Sequence, residues 1–385
     1  MSAGPQANTD VERLAQRARE TGRLGLDTEF MPEGRYRPLL CLVQVVVGAE
    51  VAVLDPLEGF DPAPLVAVLA DPGVEVVVHA GRQDVAILRR EWNAPFANVF
   101  DTQVAAGFAG FSAQAGYSGL LHDVMRIRLP KTASFTRWDA RPLTEEQIRY
   151  ARGDVEHLLP LAAEIQRRLR ERGRLGWARE ECRAIEEATD ERDPEEVWRR
   201  LPRISGLDPR ERAVARELAA WRERTAARED RPVGAILRDP TVVELAKRKP
   251  TARRDFAQIR GVNPDVVRRR GDDVLAAIMR GLAAPPVPAE DGDRLGSDAA
   301  DGPTIALAEA LVRARALEAG LAYELIAARA DLSPVVVAAR RGRPEPDVRT
   351  LRGWRRELVG RELLELLEGR RKLGVDRGRV EVSEA

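Results

Sequence analysis

The stretch RLGLDTEFMPEGRYRPLLCLVQVVVGAEVAVL, residues 23–54, indicates the fold class of the first part of the chain. It contains β-type apolar runs at Arg23–Phe30, Leu39–Val47 and Val51–Leu54, and a short turn at Gly48–Glu50 joins the last two. The next hundred residues alternate short apolar runs with amphipathic helical patterns. Three strands in succession, followed by interleaved helices, predict a mixed α/β sheet.

Beyond residue 197 the patterns are helical, and no strand is predicted. Residues 283–302 are rich in Pro, Gly and Asp and predict a flexible linker, and the charged final residues predict a loose tail. We therefore divide the chain into six segments: an α/β domain at 1–175, a connecting helix at 176–197, a first helical domain at 198–282, the linker at 283–302, a second, divergent helical domain at 303–369 and a tail at 370–385.

The composition of the 385 residues, 44% hydrophobic and 32% charged, excludes a wholly disordered or collagen-like protein. No stretch approaches the roughly 18–20 uncharged apolar residues of a membrane helix, and the N-terminus lacks the pattern of a signal peptide. Cys41 and Cys182 lie far apart and have no metal-ligand spacing. We therefore expect a cytoplasmic protein with neither a disulfide framework nor a zinc site.

Charge is distributed unevenly along the chain, although the whole carries no net charge. Residues 1–197 have a net charge of −8, whereas residues 198–282 contain 21 basic and 12 acidic residues, a net of +9. Such a basic block predicts binding to nucleic-acid phosphates, and a solvated arginine-rich surface is the alternative. The basic residues expected to contact phosphates are Lys247, Arg248, Lys249, Arg253, Arg254, Arg268, Arg269 and Arg270.

Acidic residues in the α/β domain are spaced so that they can converge. Asp27 and Glu29 share one face of a strand while Thr28 points away. Tyr150 and Asp154 share one face of a helix that a capping-box pattern starts at Thr144. Taken singly, such residues are more often solvated or packed.

Asp84, near the start of another helix, completes the set of four acids, although taken alone it is most simply a helix N-cap. Four carboxylates in one cleft repel each other unless cations are present. Mg²⁺ or Mn²⁺ suits an all-oxygen site. A pair of these ions can activate water for phosphodiester hydrolysis.

These residues belong to segments that resemble the three motifs of the DEDD exonucleases: Asp27-Thr28-Glu29-Phe30, His79-Ala80-Gly81-Arg82-Gln83-Asp84 and Tyr150-Ala151-Arg152-Gly153-Asp154. The tyrosine four residues before the last aspartate is typical of the DEDDy branch. Further matches at Tyr36-x-Pro-x-Leu-x-Leu-x-Gln44 and Arg141-Pro142-Leu143-Thr144 make the chain similar to the ribonuclease D family. Residues 218–222, 236–239 and 259–262 resemble an HRDC domain, and 303–369 resemble a second copy.

The resemblance implies a ribonuclease H-like mixed-sheet exonuclease domain followed by two small HRDC-like helical bundles. It further implies a metal-dependent 3′→5′ exoribonuclease that releases nucleoside 5′-monophosphates from RNA 3′ ends, with transfer RNA processing as the expected role. We expect no stable protein partner and a monomer. A non-catalytic RNA-binding scaffold and a 3′→5′ exonuclease acting on DNA are the alternatives.

The resemblance also implies roles for individual residues. Asp27, Glu29, Asp84 and Asp154 would bind two divalent ions, Mg²⁺ or Mn²⁺, and Tyr150 would orient the attacking water and help to deprotonate it, mainly as a positioning group. Packing near the site is an equal alternative for Phe30 and His79, and a core position is an alternative for Trp138. The further candidates for contact with nucleic acid are Phe30, His79, Lys131, Arg137 and Trp138.

Overall fold

The computed structural model describes residues 5–129, 137–288 and 299–385. These fall into two compact units. The first comprises the described residues of Met1–Glu29, Leu40–Thr189 and Leu295–Ala385, and the second those of Phe30–Leu39 and Asp190–Arg294. In the ranges described, no helix combines the length and apolar character needed to cross a membrane.

A five-stranded sheet forms the centre of the α/β domain, with the strand order β3-β2-β1-β4-β5. The strand β2 pairs antiparallel with β3, whereas β4 pairs parallel with both β1 and β5. The predicted mixed sheet is therefore confirmed. The strands are β1 (Arg23–Met31), β2 (Leu39–Val47), β3 (Glu50–Leu54), β4 (Glu75–Val78) and β5 (Val99–Asp101).

Helices accompany this sheet, and their packing explains the continuous apolar runs of the strands. Nearly every residue of β2 and all of β4 are buried, as expected for strands covered on both faces. The helices of this part are α1 (Pro5–Thr21), α2 (Ala63–Leu69), α3 (Arg82–Trp92), α4 (Thr102–Phe108), α5 (Tyr117–Met125), α6 (Glu145–Glu156), α7 (Leu158–Glu171) and α8 (Leu175–Glu186).

The start of α6 is fixed by the capping box that the sequence predicted. The Thr144 hydroxyl accepts a hydrogen bond from the Gln147 backbone N–H at 3.2 Å, and the Gln147 side chain accepts one from the Thr144 N–H at 3.0 Å. The helix ends at Glu156, and α7 begins at Leu158. A Cβ atom on Gly25 of β1 would lie 2.5 Å from Val46 and 3.3 Å from Leu158, so glycine permits the close packing of α7 on the sheet.

The second unit is helical, as predicted, and also contains a segment from the α/β part of the sequence. The Tyr36 hydroxyl donates to the buried Glu223 carboxylate at 2.9 Å, and Arg35 forms an ion pair with Asp230. Trp198, Trp221 and Phe256 are among its core residues. Its helices are α9 (Pro209–Glu229), α10 (Val233–Ile236), α11 (Asp239–Arg248) and α12 (Pro264–Ala283), with 3₁₀ turns at Val197–Arg200, Ile204–Gly206 and Arg253–Gln258.

The helices after residue 299 repeat this order of elements but share the core of the first unit. The Trp354 ring lies edge-on to Phe108 of α4 at 5.0 Å and stacks on Trp177 of α8 at 5.2 Å. Glu181 of α8 accepts two hydrogen bonds from Arg355, at 2.6 and 2.8 Å. The helices are α13 (Gly302–Ala319), α14 (Tyr323–Ile326), α15 (Arg329–Arg340), α16 (Gly353–Arg355) and α17 (Arg361–Leu367), with 3₁₀ turns at Ala299–Asp301 and Arg349–Leu351 and a π turn at Arg356–Gly360.

The predicted loose tail at 370–385 is wrong, as is the expectation that no strand follows residue 197. Strands β6 (Arg371–Asp376) and β7 (Arg379–Glu384) form an antiparallel hairpin. Its two-residue turn has positive φ at Arg377 and Gly378, 45° and 80°, which suits a tight hairpin. The many charges of this segment obscured its period-two pattern of Leu and Val. The middle of the predicted linker at 283–302 lies outside the described residues.

Candidate active site

The structure brings together the four acids that the sequence selected. Asp27 and Glu29 lie on β1, Asp84 lies in the first turn of α3, and Asp154 lies on α6. Burial raises the pKa of Asp27 well above its ordinary value, and the charges of Asp84, Asp154 and Glu29 raise it further. The four carboxyl groups therefore lie close enough to repel one another.

The other three acids carry the same electrostatic signature. Burial, followed by the charges of Asp154 and Asp84, raises the pKa of Glu29 to about 8. Burial raises the pKa of Asp154 to about 7, although a hydrogen bond from Tyr150 opposes the shift. Burial also raises the pKa of Asp84 to about 6, against a hydrogen bond from Thr28. Burial thus shifts each acid towards its neutral form, and a positive charge bound nearby would oppose that shift.

Two simpler expectations for this cluster are wrong. Asp84 does not cap its helix, because the N-cap position of α3 is Gly81 and no side chain caps there. Thr28 was expected to point away from the acids, but its hydroxyl donates to the Asp84 carboxylate and its side chain is buried. Strand alternation does separate Thr28 from Asp27 and Glu29, but Asp84 lies within reach of both Thr28 and Asp27.

Asp101, which the sequence analysis did not select, holds the turn that leads to Asp84. Its buried carboxylate accepts hydrogen bonds from the backbone N–H groups of Ala80 at 3.1 Å and Gly81 at 2.9 Å. Ala80 has a left-handed backbone with φ of 54°, which costs free energy in a residue other than glycine. Asp101 also caps α4 through its contact with the Gln103 N–H at 2.8 Å. An N-cap pattern at the end of an apolar strand was the signal that could have found it.

Tyr150 contacts both the acid cluster and a buried aromatic residue. Its hydroxyl donates to Asp154 on the next turn of α6, and its pKa is raised to about 12 by burial and then by Asp154, Glu29 and Asp27. Its ring centroid lies 5.9 Å from that of Trp138, which is 4% exposed. This burial favours the core alternative for Trp138. Tyr150 is thus a neutral hydrogen-bond donor at neutral pH.

A half-buried ion pair fixes the segment that carries Trp138. Arg141 makes two hydrogen bonds of 2.6 Å to the Asp55 carboxylate and donates to the backbone carbonyls of Trp138 at 2.8 Å and Cys41 at 3.1 Å. Bidentate arginine–carboxylate contacts of this kind are strong and directional. Arg141 and Asp55 thereby tie the chain before α6 to the sheet.

A cavity of about 70 Å³ lies beside the acids. Asp27, Asp154, His79 and Tyr117 contribute its polar lining, and Leu26 and Leu158 its apolar lining. The structure thus places His79 at the site.

The other predicted contacts to nucleic acid have different positions. Phe30 follows Glu29 on β1 and belongs to the second unit. Arg137 pairs with Asp139 at 2.9 Å, and Lys131 lies outside the described residues.

The basic residues predicted to bind phosphate all lie in the second unit, and most are already paired there. Ion pairs join Arg248 to Glu244, Lys249 to Glu211, Arg253 to Asp272, Arg254 to Asp255, Arg268 to Asp265 and Arg270 to Glu229. Lys247 and Arg269 are exposed and have no ion-pair partner in the ranges described.

The donor chemistry of the four acids fits a hard divalent cation, which takes oxygen ligands. Carboxylates that raise one another's pKa lose that repulsion when a cation binds between them. Within the described parts of the chain, no three His, Cys, Asp or Glu side chains already form a ligand set for a metal. Metal binding is therefore assigned on the charge and burial of the acids, not on ligand geometry.

Known proteins resemble both parts of the chain. Residues 3–170 match the family model of a 3′-5′ exonuclease, and residues 211–278 match that of the HRDC domain. Ribonuclease D of Gluconacetobacter diazotrophicus is 38% identical over 377 residues, which cover 96% of this chain and 94% of that protein. Ribonuclease D of Acidiphilium cryptum is 38% identical over 362 residues, 93% of this chain and 91% of that protein.

A solved structure extends the similarity to the whole fold. The crystal structure of Escherichia coli RNase D, described as an exoribonuclease involved in structured RNA processing, matches with a TM-score of 0.85 and 28% sequence identity. The match covers 94% of this chain and 97% of that one. It therefore includes the exonuclease domain and both helical regions.

Proposed function

Because the chain belongs to the ribonuclease D family, as its motifs predicted, and is a 3′→5′ exoribonuclease, we propose that it uses divalent metal ions to release nucleoside 5′-monophosphates from RNA 3′ ends. The observation that carries this proposal is the cluster of Asp27, Glu29, Asp84 and Asp154, whose pKa values are all raised. Transfer RNA precursors are the proposed substrates, and the protein acts without a stable protein partner.

The four carboxylates would hold the divalent ions. The resemblance to the family implies that two such ions bind. Bound divalent ions supply the positive charge that activates a water and stabilises the departing oxyanion. The water attacks the terminal phosphodiester, the bond to the 3′ oxygen of the preceding nucleotide breaks, and the terminal nucleotide leaves with its 5′ phosphate. Thr28 and Asp101 orient Asp84 for this task from two sides of the α3 turn.

Tyr150 acts mainly by positioning the attacking water. With a pKa of about 12, its hydroxyl keeps its proton at neutral pH and donates a hydrogen bond. Tyr150→Phe is expected to lower turnover about a hundredfold, because a misplaced nucleophile loses the advantage of a fixed geometry. Metal binding, measured by calorimetry, should change little. An unchanged turnover rate would remove this role.

The central test compares Asp27→Asn and Asp154→Asn with Asp123→Asn, an exposed acid of α5 that contacts its neighbour His122. A labelled RNA oligonucleotide and the matched DNA are incubated with Mg²⁺, with Mn²⁺ or with a chelator. The two site variants should lose on the order of a thousandfold in rate, the control should not, and the chelator should stop the wild type.

A folded Asp154→Asn protein that trims RNA normally would contradict the assignment of the site. Trimming that persists in the chelator would contradict the metal requirement. Equal rates on RNA and DNA would favour the deoxyribonuclease alternative. Salt-sensitive RNA binding without any cleavage would favour the scaffold alternative.

A further inference from the structure

Gln44, near the middle of β2, has a fully buried side chain whose two polar atoms have no hydrogen-bond partner among the residues described. Buried polar atoms in proteins almost always find a partner, and an unpaired amide in a core costs free energy. The residues on either side of Gln44 in the strand are apolar and equally buried. The position of Gln44 in the sheet indicates which group its amide serves.

The neighbour of Gln44 on the next strand follows from the geometry of the sheet. The strands β1 and β2 are adjacent, and residues 32–38 connect them, which is too short for a parallel crossover, so they run antiparallel. A Cβ atom on Gly25 would lie 2.5 Å from the Val46 side chain, so these two residues are opposite each other and face the same side. Two residues further along β1 and two back along β2, Asp27 lies opposite Gln44.

The Asp27 and Gln44 side chains therefore share the face of the sheet on which α7 packs. Directly opposite residues have their Cβ atoms about 4.5–5.5 Å apart, which places the glutamine amide within reach of the Asp27 carboxyl group. Leu42 and Val46, the neighbours of Gln44 along β2 on this face, and Val53, its partner on β3, are apolar and offer no hydrogen bond. Asp27 is thus the polar neighbour of Gln44 in the sheet.

An amide suits this position when a cation is bound to the acids. An ionised carboxylate has about four lone-pair sites, so Asp27 can bind an ion and still accept a hydrogen bond. Gln44 Nε2 can donate that bond without adding a charge, whereas a lysine or arginine would compete with the cation and a fifth acid would add repulsion. Carboxylates that bind metal ions are commonly oriented by such hydrogen bonds.

We propose that Gln44 is a positioning residue for the cation site, in which its Nε2 atom donates to the Asp27 carboxylate and fixes the direction in which that ligand faces a divalent ion. The inference rests on the proposed function, since it concerns the metal site of the same reaction. Gln44 Oε1 remains an acceptor for a water of the ion, because Mg²⁺ usually keeps several waters in proteins. Gln44 in this role strengthens metal binding without stabilising the metal-free fold.

The test compares Gln44→Met with Gln166→Met in the full chain, because methionine matches glutamine in length and lacks the amide. Gln166 of α7 is the matched control, since it is also buried but both of its polar atoms are paired, with Glu75 at 2.8 Å and Arg23 at 3.0 Å. Urea denaturation in a chelator measures the stability of the metal-free protein. Calorimetry measures the affinity for Mn²⁺, and a labelled RNA oligonucleotide measures turnover.

Gln44→Met should raise the dissociation constant for Mn²⁺ roughly ten- to hundredfold. Its urea midpoint in the chelator should stay the same or rise, because an unpaired buried amide has been removed. Its turnover should fall most at low Mn²⁺ and recover towards the wild-type value at saturating Mn²⁺. Gln166→Met should show the opposite pattern, a lower urea midpoint with an unchanged affinity for Mn²⁺. Gln44→Asn, which keeps the amide but is one methylene shorter, should bind Mn²⁺ as weakly as Gln44→Met.

An unchanged affinity for Mn²⁺ in Gln44→Met would overturn the inference and leave the exoribonuclease intact. The same holds if Gln44→Met loses stability in the chelator as Gln166→Met does, since an ordered water would then satisfy the amide within the fold. If Gln44→Met does not fold, as measured by circular dichroism, the affinity of Gln44→Asn decides. A wild type that binds no Mn²⁺ and trims RNA in the chelator would instead overturn the proposed function.

Discussion

The acid cluster of the first unit and the basic surface of the second unit differ in how far their like charges are compensated. The basic surface consists of the basic residues that were predicted to bind phosphate. In the acid cluster, Asp27 and Glu29 are half-buried near two more carboxylates, and their pKa values are raised. On the basic surface, most of the positive charges are compensated by local ion pairs such as Arg253 with Asp272 and Arg270 with Glu229. Uncompensated charge in a fold is costly, so the place where it persists is the better indicator of function.

Asp101 shows that burial alone does not make a carboxylate reactive, and its removal is expected to have the largest effect. Its oxygens accept four backbone N–H groups, from Ala80, Gly81, Gln103 and Val104. Asp101→Ala would leave these donors buried and unpaired, and we expect a loss of about 3 kcal/mol in the free energy of unfolding. Urea denaturation would measure it.

The variant Asp101→Asn distinguishes the effect of this carboxylate on the stability of the fold from its effect on the position of Asp84. Asparagine retains one acceptor oxygen, so we expect it to recover part of the stability and still turn over RNA slowly, because the Ala80 turn is held by a single contact. Asp123→Asn serves as the exposed control. If Asp101→Asn trims RNA at the wild-type rate, the turn does not depend on this carboxylate.

The same residues show how far the sequence predicts the site. Asp27 and Glu29 lie on one strand, and Tyr150 and Asp154 on one helix, as the local periodicity of their spacing predicted. The contact of Thr28 with Asp84 depends on how a helix packs on the sheet, which no local pattern encodes.

Long-range contacts also explain the errors in the fold. The segment Phe30–Leu39 joins the second unit because Tyr36 pairs with Glu223, 187 positions later in the chain. The helices after residue 299 share a core with α4 and α8 through Trp354, although composition made them look separate. The hairpin at the end of the chain depends on local contacts. Its alternating apolar residues are present in the sequence, but the many charged residues around them obscured the pattern.

The raised pKa values of the acid cluster predict a pH dependence opposite to that of most carboxylates. Without metal, the folded state retains protons on Glu29, with a pKa of about 8, and on Asp154, with a pKa of about 7, that the unfolded chain has released. Stability therefore falls as the pH rises. The pKa of His79 is lowered, so the titration of this residue makes stability rise with pH. That opposite effect is confined to pH values below the ordinary histidine pKa of 6.5.

Between pH 6.5 and 8 the expected loss is on the order of 2 kcal/mol in the free energy of unfolding. Urea denaturation in a chelator would measure it, and Glu29→Gln should flatten the slope because that side chain no longer titrates. Mg²⁺ should flatten it as well, since bound cations stabilise the ionised acids. A slope that neither change affects would place the titrating groups elsewhere.

The smallest expected effects are those on the basic surface, where paired and unpaired cations can be compared directly. Arg269 is exposed and has no ion-pair partner in the described ranges, whereas the neighbouring Arg270 makes contacts of 2.7 and 2.6 Å with Glu229 and its side chain is only 14% exposed. Arg269→Ala should weaken RNA binding about threefold and lower the salt dependence by about one charge, with stability unchanged.

Arg270→Ala should affect stability and not RNA binding, because the Arg270 charge is already paired inside the second unit. We expect a loss of about 1 kcal/mol in stability and little change in RNA affinity or its salt dependence. Fluorescence anisotropy over a range of salt concentrations measures binding, and Lys247→Ala serves as a second unpaired cation. If Arg269→Ala and Arg270→Ala weaken binding equally, ion pairing does not determine which arginines reach phosphate, and the regional charge would be the better guide after all.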